Sequence, residues 1–256
     1  MPTLGEALTV GEHEVVAFVG AGGKTTAMFR LARELRDAGA TVVITTTTKI
    51  LIPAIDNDLR VVVEEERSAL LAAVADAIAH GRIPVVARAT TPDGKLAGIP
   101  PEWIADLAKL PAVRHVLVEA DGAAHKPFKA PREGEPVIPR SATIVVAMVG
   151  VDALGERLSE VAHRPDEVMA LTGLGSDDRL DERSIALVLL HPAGIAKGAP
   201  PAARIVSLLN KADDPRRVER ARELAAELLR GGAQRVVIAA LEARDAVLEI
   251  QGTQTT

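Results

Sequence analysis

The chain has 256 residues, of which 48% are hydrophobic and 25% are charged, so it carries enough apolar material for the core of one or two folded domains. Only 2% of the residues are aromatic and the formal net charge is -5, which together argue against binding to nucleic acid or to an anionic membrane surface. The absence of cysteine excludes disulfides, thiolate metal sites and cysteine nucleophiles. The first residues do not resemble a signal peptide and no apolar run is long enough to span a membrane, so we expect a cytoplasmic location.

Buried β-branched runs alternate with amphipathic helical patterns along the chain. The predicted elements are, in chain order, strand 14–20, helix 24–38, strand 41–46, strand 60–63, a helix around 70–78, strand 83–87, helix 101–110, strand 113–120, strand 143–150, helix 165–171, helix 181–190, strand 204–209, helix 215–230 and a last strand 235–240. This alternation predicts an α/β fold, with a doubly wound, mostly parallel sheet covered by helices on both faces. We expect a single domain over residues 1–256, with 121–201 as an insertion or a lobe that receives a substrate or client protein.

A glycine-rich loop between the first strand and the first helix carries the strongest local signal, Gly20-Ala21-Gly22-Gly23-Lys24-Thr25-Thr26. Glycines let backbone N–H groups face a phosphate, and the helix N-terminus adds a partial positive charge. Lys24 would reach the β- and γ-phosphates, and the Thr25 hydroxyl would bind Mg²⁺. Phe18 stands six positions before Lys24, so the common G-x-x-x-x-G-K-[ST] spacing fails. The shorter loop resembles that of Mur-type ATP-dependent amide ligases; the alternative is a turn that only caps the helix.

Two carboxylates follow the strand predicted over residues 113–120. Glu119 and Asp121 are two positions apart, so on an extended chain they would face the same side. Both would lie at the carboxyl end of a parallel strand, where open α/β sheets bind ligands. One would hold the Mg²⁺ shell, with Asp121 favoured, and the other would position a nucleophile. The alternative is an ordinary solvated strand end.

The segment Asn210-Lys211-Ala212-Asp213 follows another predicted strand and resembles the N-K-x-D motif of GTPases. The Asp213 carboxylate could accept hydrogen bonds from the ring N–H and the exocyclic amine of guanine, a pair that adenine does not offer. The Lys211 stem could lie over the base, and Asn210 could brace the loop. The alternative is that Asp213 or Asp214 only caps the following helix, which has Pro215 at its first position.

Three further polar segments are candidates for substrate contacts. Thr45–Thr48, followed by Lys49, would offer hydroxyls to a γ-phosphate or Mg²⁺, or would simply be β-branched strand residues. His163 and Arg164 could face a substrate, although a lone histidine is more often structural. The loop over 122–139 could line an anionic or metallated substrate site or be an ordinary solvated loop; its charged residues include His125, Lys126, Lys129, Arg132, Glu133 and Glu135. The six histidines show no H-x-x-x-H or H-E-x-x-H spacing, so we expect no preformed zinc site.

Taken together, five segments resemble the YqeC family, which is described as accessory proteins of selenium-dependent hydroxylases. They are GAGGKTT, TTTTKI, VLVEADGAAHKPFKAPREGEPVIP, VAHRPDEV and LLNKAD, and they run from about Val15 to Asp213. The resemblance implies a nucleotide-dependent helper in the maturation of a molybdenum hydroxylase, in selenium or sulfur handling of its cofactor. Family members usually carry a histidine where this chain has Lys49, so we expect no metal or proton-transfer role at that position.

The residues and the resemblance together predict an Mg²⁺-dependent protein that binds GTP or ATP, with GTP favoured, and hydrolyses it to support hydroxylase maturation. Lys24 and a Thr25-bound Mg²⁺ would stabilise charge on the phosphates, and Asp121, or less favourably Glu119, would organise metal and water. The expected partners are the nucleotide and a molybdenum-cofactor hydroxylase or its maturation factors. Three alternatives stay open: a small-molecule kinase or ATP-dependent ligase, a non-catalytic nucleotide-gated scaffold, and a degenerate loop that binds only phosphate or sulfate.

Overall fold

The secondary structure follows the predicted alternation of strands and helices in a computed structural model that describes residues 1–52 and 58–253. The strands are β1 (Glu14–Gly20), β2 (Val42–Thr46), β3 (Lys49–Leu51), β4 (Leu59–Val63), β5 (Ile83–Ala87), β6 (Ala89–Thr90), β7 (Lys95–Ala97), β8 (His115–Glu119), β9 (Phe128–Lys129), β10 (Ile144–Gly150), β11 (Ala162–His163), β12 (Arg204–Asn210), β13 (Arg235–Ala239) and β14 (Val247–Gly252). The helices are α1 (Leu4–Ala7), α2 (Lys24–Asp37), α3 (Arg67–Ala79), α4 (Trp103–Ala108), α5 (Leu158–Val161), α6 (Pro165–Thr172), α7 (Glu182–Leu190) and α8 (Pro215–Arg230), with a 3₁₀ turn at Val151–Ala153. None of the helices in these ranges is both long and apolar enough to cross a membrane.

One large sheet, in the order β14-β13-β12-β10-β1-β8-β2-β5-β4, organises the fold. All of its neighbouring strands are parallel except β13 and β14, which are antiparallel. The predicted doubly wound, mostly parallel sheet is therefore confirmed. Two small sheets, β11-β9 and β3-β7-β6, lie outside it and were not predicted.

The prediction that residues 235–240 form the last strand is wrong, because β14 follows and pairs with β13. Its sequence, VLEIQG, mixes apolar and polar residues, and most of its side chains are only half-buried. Such a strand gives a weak signal in isolation, since it is stabilised by pairing with β13 rather than by full burial.

Each buried strand contributes side chains to two cores, because successive side chains on a strand point to opposite faces. On β1, Val15 and Val19 belong to one core, whereas Val16 and Phe18 belong to the other. Helices α1 and α2 cover the second core, and α3, α4, α6, α7 and α8 cover the first. Helices therefore lie on both faces of the sheet, as predicted.

The segment over residues 121–201, which we expected to be an insertion or client lobe, contains a strand of the main sheet. Strand β10 lies between β12 and β1 and pairs with both in parallel. Its flanking stretches carry β9, α5, β11, α6 and α7. Whether those stretches bind a client stays a prediction.

The carboxyl ends of four adjacent parallel strands meet at one edge of the sheet. They are Gly20 on β1, Glu119 on β8, Gly150 on β10 and Asn210 on β12. The strand that carries Glu119 pairs directly with the strand that leads into the glycine loop. This edge is where open α/β sheets bind ligands, and it brings the sequence-predicted site residues into one region.

Candidate functional site

The glycine loop joins β1 to α2 and packs closely against the ends of β10 and β12. Gly22 has a φ of +82°, and a Cβ there would lie 2.2 Å from the backbone nitrogen of Gly150. Gly23, the residue before α2, has a φ of +115°, and its Cβ would lie 2.6 Å from the Asn210 side-chain nitrogen. Only glycine fits both the positive φ and the close contact at these two positions.

The Lys24 ammonium group is buried at the start of α2 and is held by the loop itself. Its Nζ donates a hydrogen bond of 2.6 Å to the Gly20 carbonyl oxygen and lies 3.2 Å from Asp121 Oδ1. The Lys24 side chain is 4% exposed. A bound phosphate would therefore compete with Asp121 for the same positive charge.

Thr25 is paired with Glu119, not with Asp121. The Thr25 hydroxyl donates a hydrogen bond of 2.7 Å to Glu119 Oε2. Burial raises the pKa of Glu119, and the charge of Lys24 and the hydrogen bond from Thr25 oppose that rise only in part. A hydroxyl and a buried carboxylate in contact are hard oxygen donors of the kind that bind Mg²⁺. The structure thus places Glu119, rather than the favoured Asp121, beside the expected metal-binding threonine.

Asp121 is buried and contacts the cations around the glycine loop. Its Oδ2 accepts a hydrogen bond of 3.1 Å from the Gly20 amide and lies 2.9 Å from Lys129 Nζ. With Lys24 on Oδ1, both carboxylate oxygens are engaged by groups of opposite charge or by a donor. Asp121 therefore fixes the loop and its lysine, a role that its place in the sequence does not reveal.

Lys129 and Glu135, which we expected in a solvated or substrate-lining loop, are turned inward. Lys129 Nζ is fully buried and donates to the Gly122 carbonyl oxygen at 2.7 Å and to Glu135 Oε2 at 3.2 Å. Glu135 also accepts hydrogen bonds from Arg164 and Arg132. Burial alone would raise the pKa of Glu135, but the hydrogen bond from Arg164 and the charge of Lys129 outweigh it and lower the pKa to about 2.

His163 and Arg164 stand next to this cluster because β11 pairs with β9. His163 is opposite Lys129 in the register, and directly opposed residues project to the same side of a ladder. Burial and the charges of Arg164, Lys129 and Lys24 lower the pKa of His163. Arg164, the residue before α6, lies in the left-handed region with a φ of +61°. The predicted substrate-facing pair is therefore beside Lys129 and Glu135.

The outward side of the 122–139 loop carries His125, Arg132 and Glu133, which are exposed. Ala124 and His125 both have positive φ values, +46° and +60°, and the imidazole of His125 is close enough to Glu119 to influence its pKa. Two successive non-glycine residues in this region are uncommon and cost conformational energy. Lys126 donates a hydrogen bond of 2.5 Å to the Glu160 carbonyl oxygen at the end of α5.

Asn210 connects the glycine loop to the segment that follows β13. Its side-chain nitrogen donates a hydrogen bond of 2.7 Å to the Gly22 carbonyl oxygen, and its side-chain oxygen accepts a hydrogen bond of 3.0 Å from the Leu241 amide. Arg30 on α2 holds the same segment by donating to the carbonyl oxygens of Leu241, Ala243 and Arg244. These contacts agree with the expected bracing role of Asn210. The contacts of Arg30 with the segment after β13 could not be predicted from the sequence.

The residues that follow Asn210 show which aspartate caps α8. Asp214, not Asp213, caps α8, because its carboxylate accepts from the Arg216 and Arg217 amides at 2.9 and 3.0 Å. The Asp213 side chain is 50% exposed and lies 3.4 Å from Arg217. Lys211 has a φ of +66° and forms an ion pair of 2.7 Å with Asp152.

The hydroxyls of the threonine run hold neighbouring backbone segments. Thr45 donates to the Val86 carbonyl oxygen, Thr46 to that of Glu119 and Thr47 to that of Val137, at 2.8 to 2.9 Å. Their donor hydrogens are therefore committed to strand and loop packing. This contact pattern fits the structural interpretation of the run better than a phosphate contact.

A cavity of about 620 Å³ begins at the start of α2, and sequence analysis did not predict it. Its lining includes Thr25, Thr26, Phe29, Arg30 and Leu241. Within residues 1–52 and 58–253, no group of three or more histidine and acidic side chains is placed to hold a metal ion. A site with one or two protein ligands is nevertheless typical of Mg²⁺, which is completed by phosphate oxygens and water.

Comparison with known proteins places the chain in a family. The profile of the YqeC protein family matches residues 16–166, which include the glycine loop, Glu119, Asp121 and Arg164. The Asn210–Asp213 segment lies beyond this match. A relative in Escherichia coli strain K12, called uncharacterized protein YqeC, is 36% identical over 199 residues, which cover 77% of this chain and 75% of the relative. The chain belongs to the YqeC family.

Proposed function

We propose that this protein binds a nucleoside triphosphate with Mg²⁺ on the glycine loop and hydrolyses it. The observation that carries the proposal is the Thr25–Glu119 hydrogen bond of 2.7 Å beside a buried lysine at the start of α2. Backbone amides of the loop would hold the phosphates, Lys24 would offset their charge, and Thr25 with Glu119 would hold the metal. Bound Mg²⁺ would neutralise charge that develops on the transferred phosphoryl group.

Within this proposal, Glu119 takes the metal-side role and Asp121 acts on Lys24. Support comes from the contacts of each carboxylate: Thr25 touches Glu119, while Asp121 contacts the ammonium groups of Lys24 and Lys129. GTP is favoured over ATP because Asn210–Asp213 resembles the N-K-x-D motif of GTPases, and the helix cap is supplied by Asp214 and not by Asp213. Maturation of a molybdenum- or selenium-dependent hydroxylase is the process that the family resemblance suggests.

Phosphoryl transfer to a small acceptor is the second candidate function. It is favoured by the polar groups near the loop, since His163 is the register partner of Lys129 and Arg164 forms an ion pair with Glu135. Turnover would then require an acceptor, whereas hydrolysis requires only water. A scaffold that binds nucleotide without turnover would show binding and neither reaction.

The test is a thermal-shift panel of GTP, ATP, CTP and their diphosphates, with and without Mg²⁺. At about 100 times the Kd, a ligand adds about 2.7 kcal/mol of stability, which corresponds to roughly 5–10 °C for a domain of this size. We expect the largest shift with GTP and Mg²⁺. Inorganic phosphate and sulfate are included in the same panel as controls. The absence of a shift with any nucleotide, or a shift with nucleotides no larger than that with phosphate or sulfate, would contradict the proposal.

The Glu119→Gln variant tests the metal assignment in the same panel. Glutamine preserves an acceptor for the Thr25 hydroxyl but removes the charge, so we expect the Mg²⁺-dependent part of the shift to be lost. Glu65→Gln, at an exposed glutamate, is the matched control and should behave as wild type. An unchanged Mg²⁺ response in Glu119→Gln would remove Glu119 from the metal site.

A further inference from the structure

A line of ion pairs runs from the phosphate-loop lysine to the first residue before α6. It joins Lys24 to Asp121 at 3.2 Å, Asp121 to Lys129 at 2.9 Å, Lys129 to Glu135 at 3.2 Å and Glu135 to Arg164 at 2.5 Å. The first four side chains are at most 11% exposed, and the Arg164 side chain is 28% exposed. We call this set of five residues the ion-pair chain.

Stability alone does not account for so many buried charges. Removing ions from water carries a large desolvation cost, and well-packed apolar residues of similar volume are often as stable or more stable. Lys129 is the extreme case, since its ammonium group is fully buried. The neighbouring Phe128 is also fully buried, so the same strand supplies an apolar side chain to the core where one is needed.

Asp121 is the point at which the ion-pair chain meets the glycine loop. It accepts from the Gly20 amide, and it shares its charge between Lys24 and Lys129. Any ligand that draws Lys24 toward itself weakens the Lys24–Asp121 ion pair, so the attraction between Asp121 and Lys129 changes as well. Because the charges alternate in sign and are close together, that change is passed to Glu135 and Arg164.

The other end of the ion-pair chain holds two segments together. Lys129 lies on β9 and its register partner His163 lies on β11, so Arg164 follows directly after the paired strand. The Lys197 ammonium group also donates to the Arg132 carbonyl oxygen, which fixes the outer part of the loop. The loop over 122–139 and the segment 162–164 are therefore tied to the glycine loop through charges.

We propose that Lys129 and Glu135 are positioning residues that couple phosphate on the glycine loop to the order of the 122–139 loop and the 162–164 segment. This inference rests on the proposed function, since it requires a nucleotide to bind. When the γ-phosphate takes up the charge of Lys24, Asp121 pairs more fully with Lys129. The stronger pair tightens the loop at its base, so the loop becomes more ordered in the triphosphate state.

The experiment is hydrogen exchange followed by mass spectrometry on the full chain, without nucleotide and with Mg²⁺ and a non-hydrolysable GTP or ATP analogue. Binding is measured separately by calorimetry. We expect exchange in 122–139 and 162–168 to slow by about fivefold or more, the lower end of typical coupling between two sites. Unchanged or faster exchange there, in a protein that binds the analogue, would overturn the inference while leaving the proposed function intact. An absence of binding in the wild type would instead refute the proposed function and, with it, this inference.

Glu135→Gln separates coupling from folding. We expect this variant to bind the analogue about fivefold more weakly, because binding no longer gains from ordering the loop. We also expect the slowing of exchange in 162–168 to be lost. Glu133→Gln, at an exposed glutamate two positions away, is the matched control and should retain the slowing. If Glu135→Gln does not fold, Arg164→Gln at the outer end of the ion-pair chain takes its place with the same expectation. Retention of full slowing in whichever variant folds would overturn the inference.

Discussion

Glu119 and Asp121 leave the same strand two residues apart, yet their surroundings give them different chemistry. Glu119 contacts the Thr25 hydroxyl and has a raised pKa because it is buried. Asp121 lies between the ammonium groups of Lys24 and Lys129. The hydroxyl contact of Glu119 fits the metal ligand that we propose, and the two ammonium contacts of Asp121 fit a counter-ion that controls the position of a lysine.

Glu135 gives a pH-dependent prediction at the residue scale. Its pKa in the folded state is about 2, below the ordinary glutamate value of 4.5, so the folded state binds fewer protons than the unfolded state between these values. The stability that Glu135 contributes is therefore present above about pH 4.5 and is lost as the pH falls toward about 2. We expect Glu135→Gln to be less stable than wild type near neutral pH by about 1–3 kcal/mol.

The measurement is urea unfolding of wild type and Glu135→Gln at a series of pH values from neutral to acid. The difference in the free energy of unfolding should shrink as the pH falls below about 4.5. A difference that stays constant down to the acid limit of folding would contradict the assigned ion pairs of Glu135.

The residue types of the site were predictable, but their contacts were not. The order Gly-Gly-Lys-Thr after a buried strand predicted the loop, and the acidic strand end predicted Glu119 and Asp121 nearby. The inward turn of Lys129 and Glu135 depends on the pairing of β9 with β11, two-residue strands that leave no periodic signal. The choice of Glu119 over Asp121 as partner of Thr25 depends on side-chain directions that the two-residue spacing does not fix.

At the scale of elements, the start of α8 shows which of two neighbouring aspartates caps the helix. Asp214 satisfies the free amides at the start of the helix, and Pro215 occupies the first helical position. Asp213 is left outside the helix, three residues after the end of β12. The alternatives that the sequence left open, a helix cap or a base-binding carboxylate, are therefore assigned to two different residues in our proposal.

Two single substitutions test this division. Asp214→Ala removes a helix cap, so we expect a loss of about 1 kcal/mol of stability, equivalent to roughly 2–4 °C, with no change in the ratio of GTP to ATP affinity.

Asp213→Asn should leave the melting temperature unchanged and reduce the preference for GTP by about tenfold, because the guanine hydrogen bonds lose their charged acceptor. Equal affinities for GTP and ATP in the wild type, measured by calorimetry, would refute the base assignment for Asp213.

Most helices and strands of the main sheet were predicted to within two residues, because each is long, buried and strongly periodic. The four-residue helices α1 and α5 were not predicted, and α3 begins three residues before the predicted start. Strand β14 was also missed, because its half-buried residues become a strand only by pairing with β13. The short strands β3, β6 and β7 were missed for the same reason, since their hydrogen-bond partners are supplied by other short segments.

At the scale of the whole molecule, the strand order creates the site. Placing β8 and β10 on either side of β1 brings Glu119, Gly150 and the glycine loop to one edge. The alternation of elements predicted a parallel sheet, but not which strands are neighbours, because strand order is decided by contacts between residues far apart in the chain. The relative orientation of the loop over 122–139 and α6 follows from the same long-range packing.

Binding of a nucleoside triphosphate through Lys24 is the property that we propose for the glycine loop. Its test is calorimetry, in which GTP or ATP is titrated in the presence of Mg²⁺ into wild type, Lys24→Ala and Lys109→Ala. Lys109 is an exposed lysine, so its variant serves as the control. We predict binding by wild type and Lys109→Ala, and a loss of about 100-fold or more in Lys24→Ala, which corresponds to roughly 2.7 kcal/mol. The same Kd in Lys24→Ala as in wild type, or no binding of either nucleotide by wild type, would contradict the claim.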